Sequence, residues 1–301
     1  MRDKIYGLYH RLQQSKSFIC IVAWLQQHYI TILIGDIVNI SRIRRDRNNP
    51  EEYLKKSRDF FSDNYDRVQN VKNFFCDEMS RKVYDAAIRY RTHRRMLKRG
   101  EWSLRDQYFV KKIVSLGKEE VFIDGGAYNG DTIDKLYQYR EKFYKDSVIK
   151  RVVAFEPAEL SMGLLAKKYG KHKEVLLKKS GLSDKNGDLY FCERGSSSYL
   201  TTKDKSNRSV HVSAIDDIEE CEDATFIKMD IEGAEWDALH GAKKTILKNK
   251  PKLAICIYHS DEDMIRIPEY IHELVPGYKL YIRHHTRRDH ETVLYAIPDV
   301  V

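Results

Sequence analysis

Cysteine is scarce and badly spaced for cross-linking. The five cysteines, Cys20, Cys76, Cys192, Cys221 and Cys256, are odd in number, far apart and without a CxxC pair. That excludes a disulfide framework or a zinc ribbon and reads as free thiols in a reducing cytoplasm. A membrane-spanning run is missing too. The nearest stretch, residues 17–38 (SFICIVAWLQQHYITILIGDIV), is cut by Gln26, Gln27 and His28. Its apolar run falls well short of the ~20 residues a span requires. The opening MRDKIYGLYHRLQQSK lacks the apolar stretch and small-residue cleavage site of a signal peptide. Residues 17–38 therefore read as a buried amphipathic helix, with peripheral contact to a membrane surface as the alternative. Repeats and low-complexity tracts are absent. So are G-x-G-x-x-G and G-x-x-x-x-G-K-[ST], which argues against a dinucleotide fingerprint and a phosphate loop.

What is present is ordinary in bulk. The chain has 301 residues, 42% hydrophobic and 33% charged, enough for one large domain or two small ones and too apolar for wholesale disorder. Its net charge of +8 is unevenly placed. Residues 1–116 hold 24 Lys/Arg against 13 Asp/Glu, an excess of +11, so the remainder is −3. The basic helix at 81–100 (RKVYDAAIRYRTHRRMLKRG) is either a solvated charged face or a funnel for an acidic glycan, sugar nucleotide, lipid or nucleic acid. No RNA-binding aromatic motif accompanies it, so nucleic acid is not favoured.

Two grammars divide the chain. Residues 1–115 read as helical throughout. Phe60, Phe61, Val68, Val71, Phe74, Phe75, Met79, Val83 and Tyr84 recur at three- and four-residue intervals, and Asn48-Asn49-Pro50 marks a helix start. From about 118, short β runs alternate with helical stretches. Strands are expected at 120–124, 148–157, within 173–184, at 224–233 and at 251–259. Helices are expected at 131–144, 159–169, 234–248 and 268–275. GDLYFCE and SVHVSAI read as antiparallel additions, and 278–285 with 291–298 as a closing antiparallel pair. The fold class is α/β, a mostly parallel sheet covered on both faces, and such sheets bind ligands at their carboxyl ends.

The stretch VFIDGGAYNGDTI (121–133) ends a strand in Asp124 and turns through Gly125, Gly126 and Gly130 into a helix. A carboxylate there would repel a pyrophosphate and suits a cationic or hydroxyl-bearing ligand. The next strand ends in Glu156, from which a carboxylate can accept both hydroxyls of a ribose. A ribosylated ligand with an ammonium and no phosphate is S-adenosylmethionine.

On these residues the sequence resembles the FkbM family of S-adenosylmethionine-dependent methyltransferases. The resemblance rests on VFIDGGAYNGDTI, VVAFEP, FIKMDIEGAEWDALHGA and the closing YIRHH…ETVLYAI, and so covers about residues 106–298. IKMDIEGAE is its specific part. It implies a Rossmann-like methyltransferase sheet, mostly parallel with the last strand antiparallel, over residues 106–301. The N-terminal helical extension, 1–105, lies outside the resemblance; its basic excess and lack of motif lead us to expect a lid, docking or oligomerisation region. The resemblance also implies O-methylation of a sugar, glycan or other small hydroxylated acceptor, as in cell-surface polysaccharide or natural-product synthesis. Tyr128 stands where many methyltransferases have glycine and is expected to shape the pocket.

The candidate cofactor residues are Asp124, Gly125, Gly126, Ala127, Tyr128, Gly130, Asp131, Thr132, Glu156, Leu182, Ser183 and Asp230. Their plainer readings are a tight turn, a solvated loop acid and a capping serine. Asp230 could orient the cofactor's amino group or an acceptor hydroxyl, and Glu232 and Glu235 could favour the next helix's N-terminus. His259, ending its strand beside that of Asp230, is the candidate general base; His285, next to His284, competes with it. No H-x-H or carboxylate spacing fixes a metal site, and no metal is expected. LRDQYF (104–109) is expected to enter the core near the cofactor pocket. Two alternatives to a sugar methyltransferase stand: an RNA methyltransferase, or a non-catalytic binding protein retaining the fold.

Overall fold

The computed structural model describes residues 50–192, 199–201 and 208–299. The expected helix at 17–38 lies outside them. Among the described residues no helix is long and apolar enough to cross a membrane.

Helix α1 (Pro50–Asp63) begins at its proline, where a missing N–H does no harm, with Glu51 and Glu52 in the first turn. Helix α2 (Tyr65–Phe74) follows at once, and α3 (Glu78–His93) is capped by Asp77, whose side chain accepts from Ser80 N at 2.7 Å. Helix stops at Arg94, in the left-handed region at φ 52°. The expectation of helix to 115 therefore fails over 94–115. Those residues form an irregular strap whose backbone bonds to the sheet instead: Ser103 N donates to His284 O at 2.9 Å and Tyr108 N to the Tyr295 hydroxyl at 3.1 Å.

The rest alternates as the sequence indicates: β1 (Glu119–Gly125), α4 (Asp131–Phe143), β2 (Val148–Phe155), α5 (Glu159–Tyr169), β3 (Val175–Lys178). Then come β4 (Gly181–Leu182), β5 (Gly187–Cys192), β6 (Tyr199–Thr201) and β7 (Arg208–Ser213), which form a separate four-stranded sheet in the order β4-β7-β5-β6. The chain returns through β8 (Phe226–Met229), α6 (Glu235–His240), α7 (Lys243–Asn249), β9 (Lys252–Cys256), α8 (Asp263–Leu274), β10 (Tyr278–His284) and β11 (Thr292–Pro298). The helix expected over 234–248 is split at Gly241, where a Cβ would lie 2.0 Å from Ser183 O.

The main sheet has seven strands in the order β10-β11-β9-β8-β1-β2-β3. All are parallel except β11, which runs antiparallel to both β9 and β10. Alternation along the strands feeds two cores. Ile123, Val153, Phe155, Ile227, Met229 and Ile255 belong to one, Phe122, Val152, Ala154, Phe226 and Ala254 to the other. The first is also filled by Phe61, Val68, Val71, Phe75, Val83 and Tyr84, so α1–α3 are built into a face of the sheet. The Phe75–Leu280 bridge even carries the α2–α3 connection onto β10.

That burial yields a test. A chain beginning at Gly100 would bare the first core and should not unfold as a cooperative unit in urea. In the full chain, Phe75→Ala should lose about 3–5 kcal/mol in the same measurement. A soluble, cooperatively folded protein starting at Gly100 would show that the helices are dispensable.

Candidate active site

The carboxyl ends of β1, β2, β8 and β9 converge, and their turns are locked to one another. Lys228, in the middle of the hydrophobic β8, is 1% exposed. Its ammonium lies 2.9 Å from Asp124 Oδ1 and donates to the carbonyls of Gly125 and Gly126, each at 2.9 Å. Burial works against the charge of Lys228, but Asp124 and the field of Asp230 outweigh it and hold the ammonium protonated. Asp124, itself fully buried, is pushed upward by desolvation, which the Lys228 charge opposes. Its Oδ2 has no hydrogen-bond partner among the described residues.

The glycines answer first to this protein–protein contact. Gly126 (φ 76°) has Asp230 O only 2.0 Å from where a Cβ would stand, and Gly130 (φ 81°) has the Tyr169 ring at 2.6 Å. Gly125 lies over the Leu182 side chain and bonds Asp230 N through its carbonyl at 3.1 Å. Ala127 and Thr132 are buried behind the turn, and Asp131 pairs with Lys135 at 3.2 Å. Tyr128 adopts φ 48°. Its N–H is held at 2.9 Å by Glu156 Oε2, while Glu156 Oε1 takes Ala158 N at 2.8 Å. One buried carboxylate thus clamps the turns after β1 and β2. Burial raises the Glu156 carboxyl to about 7, against the pull of those two N–H groups. Ser183 N bonds Ser213 O at 3.1 Å, which ties the second sheet to this rim.

Asp230 sits opposite, between two tyrosines. Tyr108 donates to Oδ2 at 2.9 Å and Tyr258 to Oδ1 at 3.0 Å. Burial would raise its pKa, but the charges of His259 and Lys228 and the two hydroxyls bring it below the usual value. The following turn is strained, with Glu232 at φ 58° and Gly233 at φ 102°. Glu235, fully buried, steadies it by accepting Ile231 N at 2.7 Å and Gly233 N at 3.0 Å.

His259 faces three carboxylates: Glu235 Oε1 3.0 Å from Nδ1, Asp230 Oδ1 3.6 Å and Glu232 Oε2 3.7 Å from Nε2. The 3.0 Å contact lies off the N–H direction, an ion pair without an aligned hydrogen bond. Desolvation lowers its pKa, but Glu235, Glu232 and Asp230 outweigh this and raise it to about 9. The three carboxylates therefore favour the protonated ring, which weakens the case for His259 as the general base. His285, by contrast, has both nitrogens engaged. Nδ1 bonds Ser103 O at 2.9 Å and Nε2 takes the Tyr295 hydroxyl at 3.1 Å, while burial lowers the ring to about 4. It anchors the strap.

Sequence reasoning missed Lys228, Tyr258 and Glu291. Glu291, at φ 66° before β11, is raised to about 7 by burial and the Asp230 charge, and Gln107 donates to it. Tyr108, within the 104–109 stretch, does enter the site. The basic stretch turns inward in part: Arg91 pairs with Asp261 at 2.5 Å, Arg94 with Asp289 at 2.9 Å and Arg89 with Glu101 at 2.7 Å, while Lys82, Arg95, Lys98 and Arg99 are exposed. Far from all this, a shallow cleft near Arg151, Glu220 and Asp223 opens at the amino ends of the strands, where Arg151 and Asp223 pair with each other.

Against known proteins, the model of the Methyltransferase FkbM domain matches residues 124–280, just over half of the chain. No curated protein matches it. Among solved structures, the methyltransferase FkbM from Methylobacillus flagellatus KT is 25% identical with a TM-score of 0.65, over 79% of this chain and 60% of that one. This chain thus spans less than two thirds of that protein. An rRNA methylase from Streptococcus thermophilus (15% identity, TM-score 0.37, 62% and 90% covered) is a far weaker likeness. So is Aeropyrum pernix fibrillarin, solved with natively bound S-adenosyl-L-methionine (12%, 0.34, 62% and 71%).

The lock between the turns has a measurable consequence. Lys228→Met strands a buried carboxylate and two carbonyls and should destabilise the chain by about 3–5 kcal/mol in denaturant unfolding. Adding Asp124→Asn should recover part of that loss. A single Lys228→Met variant as stable as wild type would show that the pair does not hold the turns.

Proposed function

Because the chain belongs to the methyltransferase FkbM domain family, we propose that it is an S-adenosylmethionine-dependent O-methyltransferase acting on a hydroxyl of a neutral sugar or glycan. The observation that carries this reading is the Glu156 carboxylate, buried at the end of β2 beside the glycine turn of β1. Beyond its two N–H partners it keeps lone pairs for ribose hydroxyls. Asp124 Oδ2 is a further buried acceptor without a partner among the described residues. Acceptors without donors suit hydroxyls and an ammonium better than a phosphate. The Gly125–Gly130 turn, Glu156, Leu182 and Ser183 would hold the cofactor, which supplies an electrophilic sulfonium methyl.

Asp230 takes the acceptor hydroxyl. Its two tyrosine partners fix the carboxylate, so an oxygen bonded to it is held in one direction. As the methyl is transferred, the hydroxyl becomes strongly acidic, and a carboxylate of low pKa is then base enough to remove the proton. Asp230 thus replaces His259 and His285 as the proton acceptor in this proposal. Asp230, Glu232 and Glu291 make the rim acidic, which favours a neutral polyhydroxylated acceptor over a sugar nucleotide or RNA. The inward-paired arginines of α3 lend no support to a nucleic-acid acceptor either. The free thiols of Cys76, Cys221 and Cys256 fit a cytoplasmic enzyme.

Calorimetry on Glu156→Gln should show the cofactor bound about tenfold to a hundredfold more weakly, the worth of a charge-assisted hydrogen bond at about 1.5–3 kcal/mol. The Glu156 carboxyl is raised to about 7, so the anion appears as pH rises through that value. Wild-type affinity should then increase from pH 6 to pH 8, and the glutamine variant should lose that slope. Folding of the free protein moves the opposite way. A carboxyl raised above its unfolded value contributes stability below that value and loses it as pH climbs through about 7. Wild-type cofactor affinity in Glu156→Gln would remove this residue from the site.

The acceptor is tested by methyl transfer from labelled cofactor to neutral glycans, nucleotide sugars and RNA. Asp230→Asn should lower kcat about a hundredfold or more with cofactor affinity little changed. Near-full turnover by this variant, or labelling of RNA alone, would reject the proposal.

A further inference from the structure

The carboxyl ends of β8 and β9 crowd acceptors around one imidazole. His259 has a side chain 7% exposed, and neither ring nitrogen has an aligned hydrogen-bond partner. A ring serving only as a counter-ion would turn its N–H groups onto the oxygens that surround it. Here Nδ1 lies 3.0 Å from Glu235 Oε1 without an aligned bond, and Nε2 lies 3.6 Å from Asp230 Oδ1 and 3.7 Å from Glu232 Oε2. Two atoms each about 2.1 Å from one metal ion lie about 3.0–3.5 Å apart at right or tetrahedral angles. The Glu235 contact on Nδ1 already has that spacing; an ion can use only one ring nitrogen, so binding through Nδ1 would draw Asp230 in from the Nε2 edge of the ring. One ligand atom each from Asp230, Glu235 and His259 already lies within 4.8 Å of the others.

We propose that Asp230, Glu235 and His259 form a binding site for a divalent transition-metal ion, with the Glu232 carboxylate at its rim. The chemistry of the donors narrows the ion. An imidazole with carboxylates and no thiolate suits zinc, manganese or ferrous iron, whereas magnesium and calcium prefer oxygen alone. The surrounding bonds are those a metal centre requires. Tyr108 and Tyr258 orient Asp230, and the N–H groups of Ile231 and Gly233 orient Glu235, leaving each oxygen a lone pair. The strained turn at Glu232 and Gly233 then has a purpose, since it brings Glu232 and Glu235 to the same ring. An ion here would stand beside the carboxylate proposed to take the acceptor hydroxyl. Its binding does not depend on that reading.

Full-length protein stripped with a chelator and titrated with Co2+, without cofactor, should develop visible absorption that saturates near one equivalent. Zn2+ should displace the Co2+ and raise Tm. His259→Gln should weaken Co2+ binding at least tenfold; if it does not fold, Asp230→Asn serves, with the same expected loss. A wild-type spectrum that Co2+ leaves unchanged overturns the proposal and leaves His259 as a protonated counter-ion. Co2+ binding that the folded variant retains in full overturns it as well, by placing the ion elsewhere. Since the readout needs neither cofactor nor acceptor, failure of methyl transfer leaves it intact, and loss of Co2+ binding leaves the methyl-transfer proposal standing.

Discussion

A lysine ammonium buried between two strands is the contact on which the working end of this protein depends. An unpaired ammonium in such a place would cost several kcal/mol, so Lys228 must be met on every side. Asp124 meets it with charge, and Gly125 and Gly126 with carbonyls. These three are consecutive at the end of β1, so one side chain from the neighbouring β8 fixes where β1 ends and how it turns. The turn then lies so close to Asp230 that only glycine fits at 126. Everything that follows at the rim inherits this register.

Strain gathers around the same point. Tyr108, Tyr128, Glu232 and Glu291 all have left-handed backbones, a conformation worth about 1–3 kcal/mol of strain at such residues. Local clamps are visible at two of these turns: Glu156 on Tyr128 N, and Glu235 on the amides flanking Glu232. The clamps are buried carboxylates, and burial is what moves Glu156 toward neutrality. Structure and chemistry are therefore not separable here. The acids that hold the turns are also the acids gathered at the carboxyl ends of the strands.

The N-terminal helices complete the site from outside the shared core. They fill one face of the sheet, and Arg91 reaches the Asp261 carboxylate and the Tyr258 carbonyl, next to His259. The strap that follows is pinned through a relay: Tyr108 N to the Tyr295 hydroxyl, that hydroxyl to His285, and His285 to Ser103 O. Tyr108 is thereby delivered to Asp230. Part of the positive charge that looked like a surface for anions, on Arg89, Arg91 and Arg94, is internal fastening.

By itself the sequence determined the layered α/β sheet, its antiparallel last strand and the family. Periodicity of two and of 3.6 reports which side of an element is buried, and Asp124, the glycine turn, Glu156 and Asp230 are contiguous or end their strands. Helix over 94–115 was misjudged because periodicity cannot see that a backbone will bond to a distant strand edge, as Ser103 does to His284. Lys228 was illegible for the same reason: a lysine in a strand looks exposed until its partner, 104 residues away, is placed beside it. The state of His259 was hidden as well. Its proton is set by Glu235, Glu232 and Asp230 together, and their distances to the ring exist only once β8 and β9 are side by side. Local pattern decides the elements; charge state and orientation come from groups far apart in the chain, and only the tertiary structure brings those together.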